Sequence, residues 1–213
     1  MVSDQIHSLL TPDNCALLLI DYQPQMAFGV KNIDGQTLVN NAVGLAKAAK
    51  IFNVPTVLTT VAEKTFSGPM FSQLMDLFPG VTPIDRTTMN CWEDERVVAA
   101  VKKTGRKKLV LGGLWTEVCI VDPTIYALQE GYEVYVVADA CGGTSNTAHD
   151  LAIQRMIQAG AVPVTWLQVL LELQRDWART KTYNAVMKII KEDAGTYGLG
   201  VQYAETMLGH SGG

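Results

Sequence analysis

Short unbroken apolar runs alternate along this chain with longer segments whose apolar residues recur at helical spacing. Cys15-Ala16-Leu17-Leu18-Leu19-Ile20 has no polar break, as a parallel strand covered on both faces requires. Thr37 to Phe52 places Leu38, Val39, Ala42, Leu45, Ala46 and Ala49 on one face, which predicts a helix, stopped by Asn53-Val54-Pro55. Thr56 to Val61, rich in β-branched residues, reads as a second strand, and Phe71 to Phe78 as a short helix. Val81 to Arg86 is a weaker third strand. The helix expected from Glu93 to Lys103 carries acids in its first turn and lysines in its last, each matched to its dipole end. Leu109 to Leu111, Tyr132 to Ala138 and Ala161 to Thr165 read as strands four to six. Helices are expected over Ile120 to Gln129, Thr147 to Ala159 and Leu167 to Ala178. This alternation predicts an α/β fold, a doubly wound (Rossmann-like) three-layer sandwich with a six-stranded parallel sheet. In such sheets ligands bind outside the carboxyl ends of the strands. The domain is expected over residues 1–180, opened by an irregular lead-in over 1–14. Residues 181–213 read as a C-terminal arm, helical from Tyr183 to Glu192 and broken by Gly195 to Gly200, better suited to packing on a neighbouring subunit than to chemistry.

The stretch from Lys107 to Cys119 is the centre of this pattern. A buried strand ends at Gly112-Gly113, the chain turns sharply through Leu114 to Glu117, and Cys119 arrives at or next to the start of a helix. Pro123 supports that start, because proline is harmless only in a first turn. Free N–H groups and the helix dipole there favour a thiolate and could hold an oxyanion. A strand-turn-helix that presents a nucleophile has the logic of a nucleophile elbow; a small buried hydrophobe is the alternative reading of Cys119.

Composition narrows the function classes. The chain has 213 residues, 48% of them hydrophobic, enough for one sizeable core. A net charge of -4 and a pI near 5.4 offer no basic surface for nucleic acid or anionic lipid. Apolar runs such as Ala16 to Ile20 are far too short to span a bilayer. Met1 to Leu10 lacks the basic and apolar regions of a secretion signal, so a cytoplasmic location is expected. Cys15, Cys91, Cys119 and Cys141 show no C-x-x-C spacing and read as free thiols. Neither G-x-G-x-x-G nor a P-loop follows a predicted strand, and no cofactor is expected.

Asp21, Arg86 and Cys119 fall at or just past the ends of predicted strands one, three and four, so an acid, a cation and a thiol converge on one sheet edge. Three segments, Leu17 to Gln23, Pro83 to Arg86 and Gly112 to Ile120, resemble the isochorismatase-like cysteine hydrolase superfamily, and its YcaC-like branch most closely. The likeness extends through Glu130 to Val134 and Arg155 to Ala161, covering about residues 10–180. It implies a triad in which Asp21 takes the thiol proton as general base and Cys119 attacks a carbonyl carbon, forming a covalent acyl intermediate that water releases. It also implies a non-proline cis peptide at Leu114–Trp115, with an oxyanion held by the N–H of Cys119 and one from Trp115 or Thr116. A small-molecule substrate cleaved at a C–N or related acyl bond follows, as does a homo-oligomer, the branch forming an octamer of stacked rings.

One departure matters: most of the superfamily has lysine where this chain has Arg86, which keeps its charge and presents a planar fork. Proton transfer is then left to Asp21; Lys64 is the runner-up cation. Gln23, Phe28, Asn90, Trp92 and Glu117 are the pocket candidates, with Phe66, Trp166, Cys91 and Cys141 possible neighbours or core. A Cys-His pair is disfavoured, since His7 and His210 lie near the termini and His149 opens a helix. Metal is also disfavoured, because Ala62-Glu63-Lys64-Thr65 stands where nicotinamidases of the superfamily carry metal ligands. Two other readings stay open: a binding or scaffold protein with a vestigial site, and a thiol redox protein, which lacks an evident resolving cysteine.

Overall fold

The computed structural model describes residues 8–209; the first half of the lead-in with His7, and His210 with the closing Ser-Gly-Gly, lie outside the described residues. Six strands form one parallel sheet: β1 (Cys15–Ile20), β2 (Thr56–Val61), β3 (Ile84–Arg86), β4 (Lys108–Leu114), β5 (Glu133–Gly142) and β6 (Val162–Val164). Their order across the sheet is β3-β2-β1-β4-β5-β6, the doubly wound arrangement expected. The order reverses between β1 and β4, and the crevice outside such a reversal is where this architecture binds ligands. Every residue of β1 and β4 is buried, which is why both read as uninterrupted apolar runs.

The helices are α1 (Pro24–Phe28), α2 (Gly35–Ile51), α3 (Ser72–Met75), α4 (Glu95–Lys103), α5 (Val121–Gln129), α6 (Asn146–Gln158), α7 (Trp166–Gln174), α8 (Thr180–Asp193) and α9 (Thr196–Met207). Side-chain caps set four of the starts: Asp34 accepts from Thr37 N–H for α2, Asp94 from Arg96 for α4, Ser145 from Ala148 for α6 and Thr165 from Gln168 for α7. Helix α2 packs on α7 and β5, and α5 on α6 and β5, so the middle of the sheet is sandwiched. No helix among the described residues is long and apolar enough to cross a membrane.

Several boundaries differ from the sequence expectation. The third strand keeps only Ile84–Arg86 and the 71–78 helix only Ser72–Met75. The fourth and fifth strands run on to Leu114 and Gly142. Glycine ended the fourth strand on paper, yet Gly113 is inside it because β1 passes so close: a Cβ there would lie 2.0 Å from the Ile20 carbonyl oxygen. The expected break is confined to Ala194–Gly195, between the end of α8 at Asp193 and the start of α9 at Thr196, and α9 then runs through Gly198 and Gly200. Gly195 makes the turn at φ 53°. Gly198 lets α9 approach α8, where a Cβ would meet the Ile190 carbonyl oxygen at 2.4 Å. Helix α8 buries Val186, Ile189 and Ile190 and packs against α2.

Candidate active site

At the carboxyl edge, β1 hands directly to Asp21, which is fully buried in a left-handed conformation (φ 56°), one that aspartate tolerates better than most residues. Its N–H donates to the Thr59 carbonyl on β2 and its carbonyl accepts from Gln23 N–H, which fixes the turn. Arg86, the last residue of β3, reaches back under β2 and grips the carboxylate with both arms. Nη1 donates to Oδ1 at 2.7 Å and Nη2 to Oδ2 at 2.8 Å. The Thr59 hydroxyl adds a third donor to Oδ1 at 3.0 Å. The guanidinium is itself held by the carbonyls of Thr60 and Met89, each at 3.0 Å. Its Nε–H is buried without an acceptor. This fork-on-fork pairing is a geometry lysine does not offer. Lys64, the alternative cation, is exposed in a turn over Glu63–Ser67.

Strand β4 ends in the elbow. The Leu114–Trp115 peptide is cis, a tight π-type turn spans Thr116–Ile120, and α5 begins at Val121, so Cys119 stands one residue before the helix N-cap, Ile120. The Trp115 indole donates to the Met26 carbonyl at 2.7 Å. The Thr116 hydroxyl pairs with His149 Nδ1 at 2.9 Å. Glu117 Oε1 accepts from the N–H and hydroxyl of Thr144, at 3.0 and 2.5 Å.

Cys119 is 3% exposed. The helix start expected to favour a thiolate is opposed here by burial. Burial pushes the thiol well above its ordinary value, and the Asp21 charge adds to this; Arg86 and the Trp115 backbone pull the other way and lose. The physical reason is burial first, with the Asp21 carboxylate acting on the sulfur more strongly than the Arg86 guanidinium behind it. Cys91, buried within range of Arg86 and Asp21, is pushed up to about 12, chiefly by burial. Cys141, beside Gly113, is also raised by burial to about 12, and Cys15 is core.

The pocket candidates divide. Gln23 is fully buried and spent on the backbone: its amide donates to the Val61 and Gly68 carbonyls and accepts from Val61 N–H. Asn90 caps a short turn by accepting from Trp92 N–H. The Trp92 indole donates to Glu130 just past the end of α5 and meets the Tyr132 ring edge-on, so its polar end is engaged at the opposite end of that helix. Phe28 on α1 and Phe66 in the neighbouring 63–67 turn are both exposed. Trp166 packs against Gly44 on α2. His149, set aside in the sequence because it opens a helix, contacts the elbow through Thr116.

The isochorismatase domain family matches residues 15–168, and the chain belongs to that family; it is an isochorismatase-family hydrolase. Within the family it falls in the YcaC-like branch. It is 40% identical over 169 residues to the protein named "Probable hydrolase YcaC" of Escherichia coli (strain K12), covering 79% of this chain and 81% of that one. The YcaC structure from Pseudomonas aeruginosa, solved with hexane-2,5-diol and covalent acrylamide, superposes with a TM-score of 0.90 at 35% identity, over 94% of this chain and 98% of that chain. The Escherichia coli YcaC structure, an octameric hydrolase of unknown specificity, gives 0.88 at 37% identity, over 92% and 97%.

Proposed function

We propose that this protein is a cofactor-free cysteine hydrolase that cleaves a C–N (amide-like) or related acyl bond of a small molecule through a covalent intermediate on Cys119. The observation that carries this reading is the elbow that delivers Cys119 to the start of α5, beside a buried Asp21 carboxylate that Arg86 grips with both arms. A thiol whose pKa is pushed up by burial needs a base at the moment of attack. Asp21 takes the proton as sulfur bonds to the carbonyl carbon, and returns it to the leaving amine. The N–H groups of Cys119 and of Trp115 or Thr116 receive the charge that develops on oxygen. Water then cleaves the thioester, with Asp21 again as base. Acrylamide bound covalently to the relative from Pseudomonas aeruginosa requires a nucleophilic atom in that protein, which supports a reactive residue in the branch.

The test is turnover of a panel of small amides and activated esters by the wild type and by Cys119→Ala and Cys119→Ser. Activity lost in both, with an acylated Cys119 peptide found by mass spectrometry, is the expected result; full turnover by Cys119→Ala would overturn the mechanism. The burial of Cys119 also favours a second reading, a small-molecule-binding oligomer with a vestigial site. That reading predicts ligand retention with no Cys119-dependent turnover at all.

The octameric state of the Escherichia coli relative extends to this chain as a proposal, in a cytoplasmic setting, with residues 181–213 as the interface arm. Leu199, Tyr203 and Met207, spaced by four along α9, are all exposed. Sedimentation of the wild type and of Leu199→Asp/Tyr203→Asp reads this directly, dissociation of the double variant being the expected outcome.

A further inference from the structure

We propose that His149 is a positioning residue for the reaction at Cys119, holding through Thr116 the backbone that donates to the oxyanion. This rests on the reading of the elbow as an oxyanion site and adds a residue to it. Thr116 is fully buried, and its hydroxyl makes one hydrogen bond among the described residues, to His149 Nδ1 at 2.9 Å. Thr116 directly follows the cis peptide and lies three residues before Cys119, so a partner on its side chain fixes the peptide plane at the first residue of the turn.

His149 is well placed to supply that partner because it is itself held. It sits in the first turn of α6, and its N–H donates to the carbonyl of the N-cap residue Ser145 at 3.0 Å. Its Cβ lies against Gly143, where an added Cβ would be only 3.0 Å away. The next elbow residue is gripped from the same segment, by the Thr144 N–H and hydroxyl on Glu117. Two consecutive elbow residues are thus tied to the chain that follows β5, and the imidazole is the tie nearest the cis peptide.

Two reagents at the same sulfur separate positioning from access. With iodoacetamide, sulfur bonds to carbon as iodide leaves, and no oxyanion forms. With acrylamide, sulfur bonds to the β-carbon, the C=C electron pair moves onto the amide oxygen as an enolate, and a proton then reaches the α-carbon. In both, the thiol proton goes to the same base. The ratio of the two rates at Cys119, read by peptide mass spectrometry on native protein, therefore reports the oxyanion donors and cancels thiol ionisation and access. His149→Leu is expected to lower the ratio about tenfold, less than the 10²–10³ seen when a donor is deleted outright, because the donor is loosened and remains. His149→Asn, whose amide occupies the Nδ1 position, should restore it. Thr116→Val should match His149→Leu, with no further loss in the double variant. If His149→Leu proves insoluble, Thr116→Val alone decides. Rates that fall in parallel, an unchanged ratio in Thr116→Val, or no acrylamide addition at Cys119 in the wild type would each overturn the assignment. Failure of the hydrolase reading appears separately, as absence of Cys119-dependent turnover with the ratio effect intact.

Discussion

Replacing Asp21 by asparagine should make Cys119 more reactive and the enzyme less active. Burial and the charge of the Asp21 carboxylate push the Cys119 thiol's pKa up, and the carboxylate is held by Arg86 at 2.7 and 2.8 Å. Asparagine keeps the shape but removes the negative charge, leaving a guanidinium with 1% of its side chain exposed to face the sulfur. Two unit charges about 4 Å apart at an effective dielectric of about 20 interact by about 4 kcal/mol, which is about a thousandfold in thiolate population at fixed pH. Relaxation and water entry will consume part of this, so a tenfold faster iodoacetamide reaction at neutral pH is the floor. Hydrolysis should fall by at least about 10²-fold, because a general base is worth about 10²–10⁴. Breaking a buried pair costs about 3–5 kcal/mol, so melting should drop by about 6–20 °C for a chain of this size, and the assay belongs at 20 °C with circular dichroism as the check on folding. Alkylation that slows together with hydrolysis would refute the inference that Asp21 suppresses the thiolate and serves as its base.

Arg86→Lys should keep a cation beside Asp21 and retain Cys119-dependent activity, yet lose one arm of the fork and the carbonyl bonds to Thr60 and Met89, costing about 1.5–3 kcal/mol in thermal unfolding; Arg86→Met should cost about 3–5 kcal/mol. Gly113→Ala should prevent soluble expression, because its Cβ would overlap the Ile20 carbonyl, whereas Gly131→Ala, at φ 80° with open space around it, should cost only about 1–2 kcal/mol. His149 is held below its ordinary value of 6.5, chiefly by burial and against the carboxylates of Asp150 and Glu117. The unfolded chain therefore binds more protons there, and stability is full above pH 6.5 and falls as pH drops through the lower folded value. His149→Asn should flatten that part of the urea-unfolding profile between pH 5 and 7.

Much of this arrangement is legible in the sequence because it follows from strand ends. Asp21 and Arg86 each stop a run that must be buried, and a doubly wound sheet brings such stops to one edge, so their meeting needs no side-chain detail. What sequence does not carry is direction and burial. Gln23 and Trp92 sit close to site residues along the chain, yet one is consumed by Val61 and Gly68 and the other by Glu130. The upward push on the Cys119 thiol comes chiefly from how deeply the elbow is buried, which no spacing rule reveals. The glycines of 195–200 illustrate a third limit: low helix propensity is overridden where a glycine is needed for one helix to lie against another, as Gly198 does beneath Ile190.

The pairing of β4 with β5 slips midway. Leu111 lies opposite Val136, but Gly113 lies opposite Cys141, so two steps on one strand answer five on the other. Below the slip the two strands are locked into the common register of the sheet. Above it, the residues leading to Gly143 and Thr144 are free of that register, and Asp139 within the excess length binds Trp166 N–H at 2.8 Å and, through its carbonyl, Asn41. Such a joint acts like an expansion gap in a rigid frame: insertions and exchanges beyond it need not propagate into the core. Specificity can therefore drift in the segment facing the elbow while the scaffold stays fixed, one physical route by which a single family could come to serve many substrates.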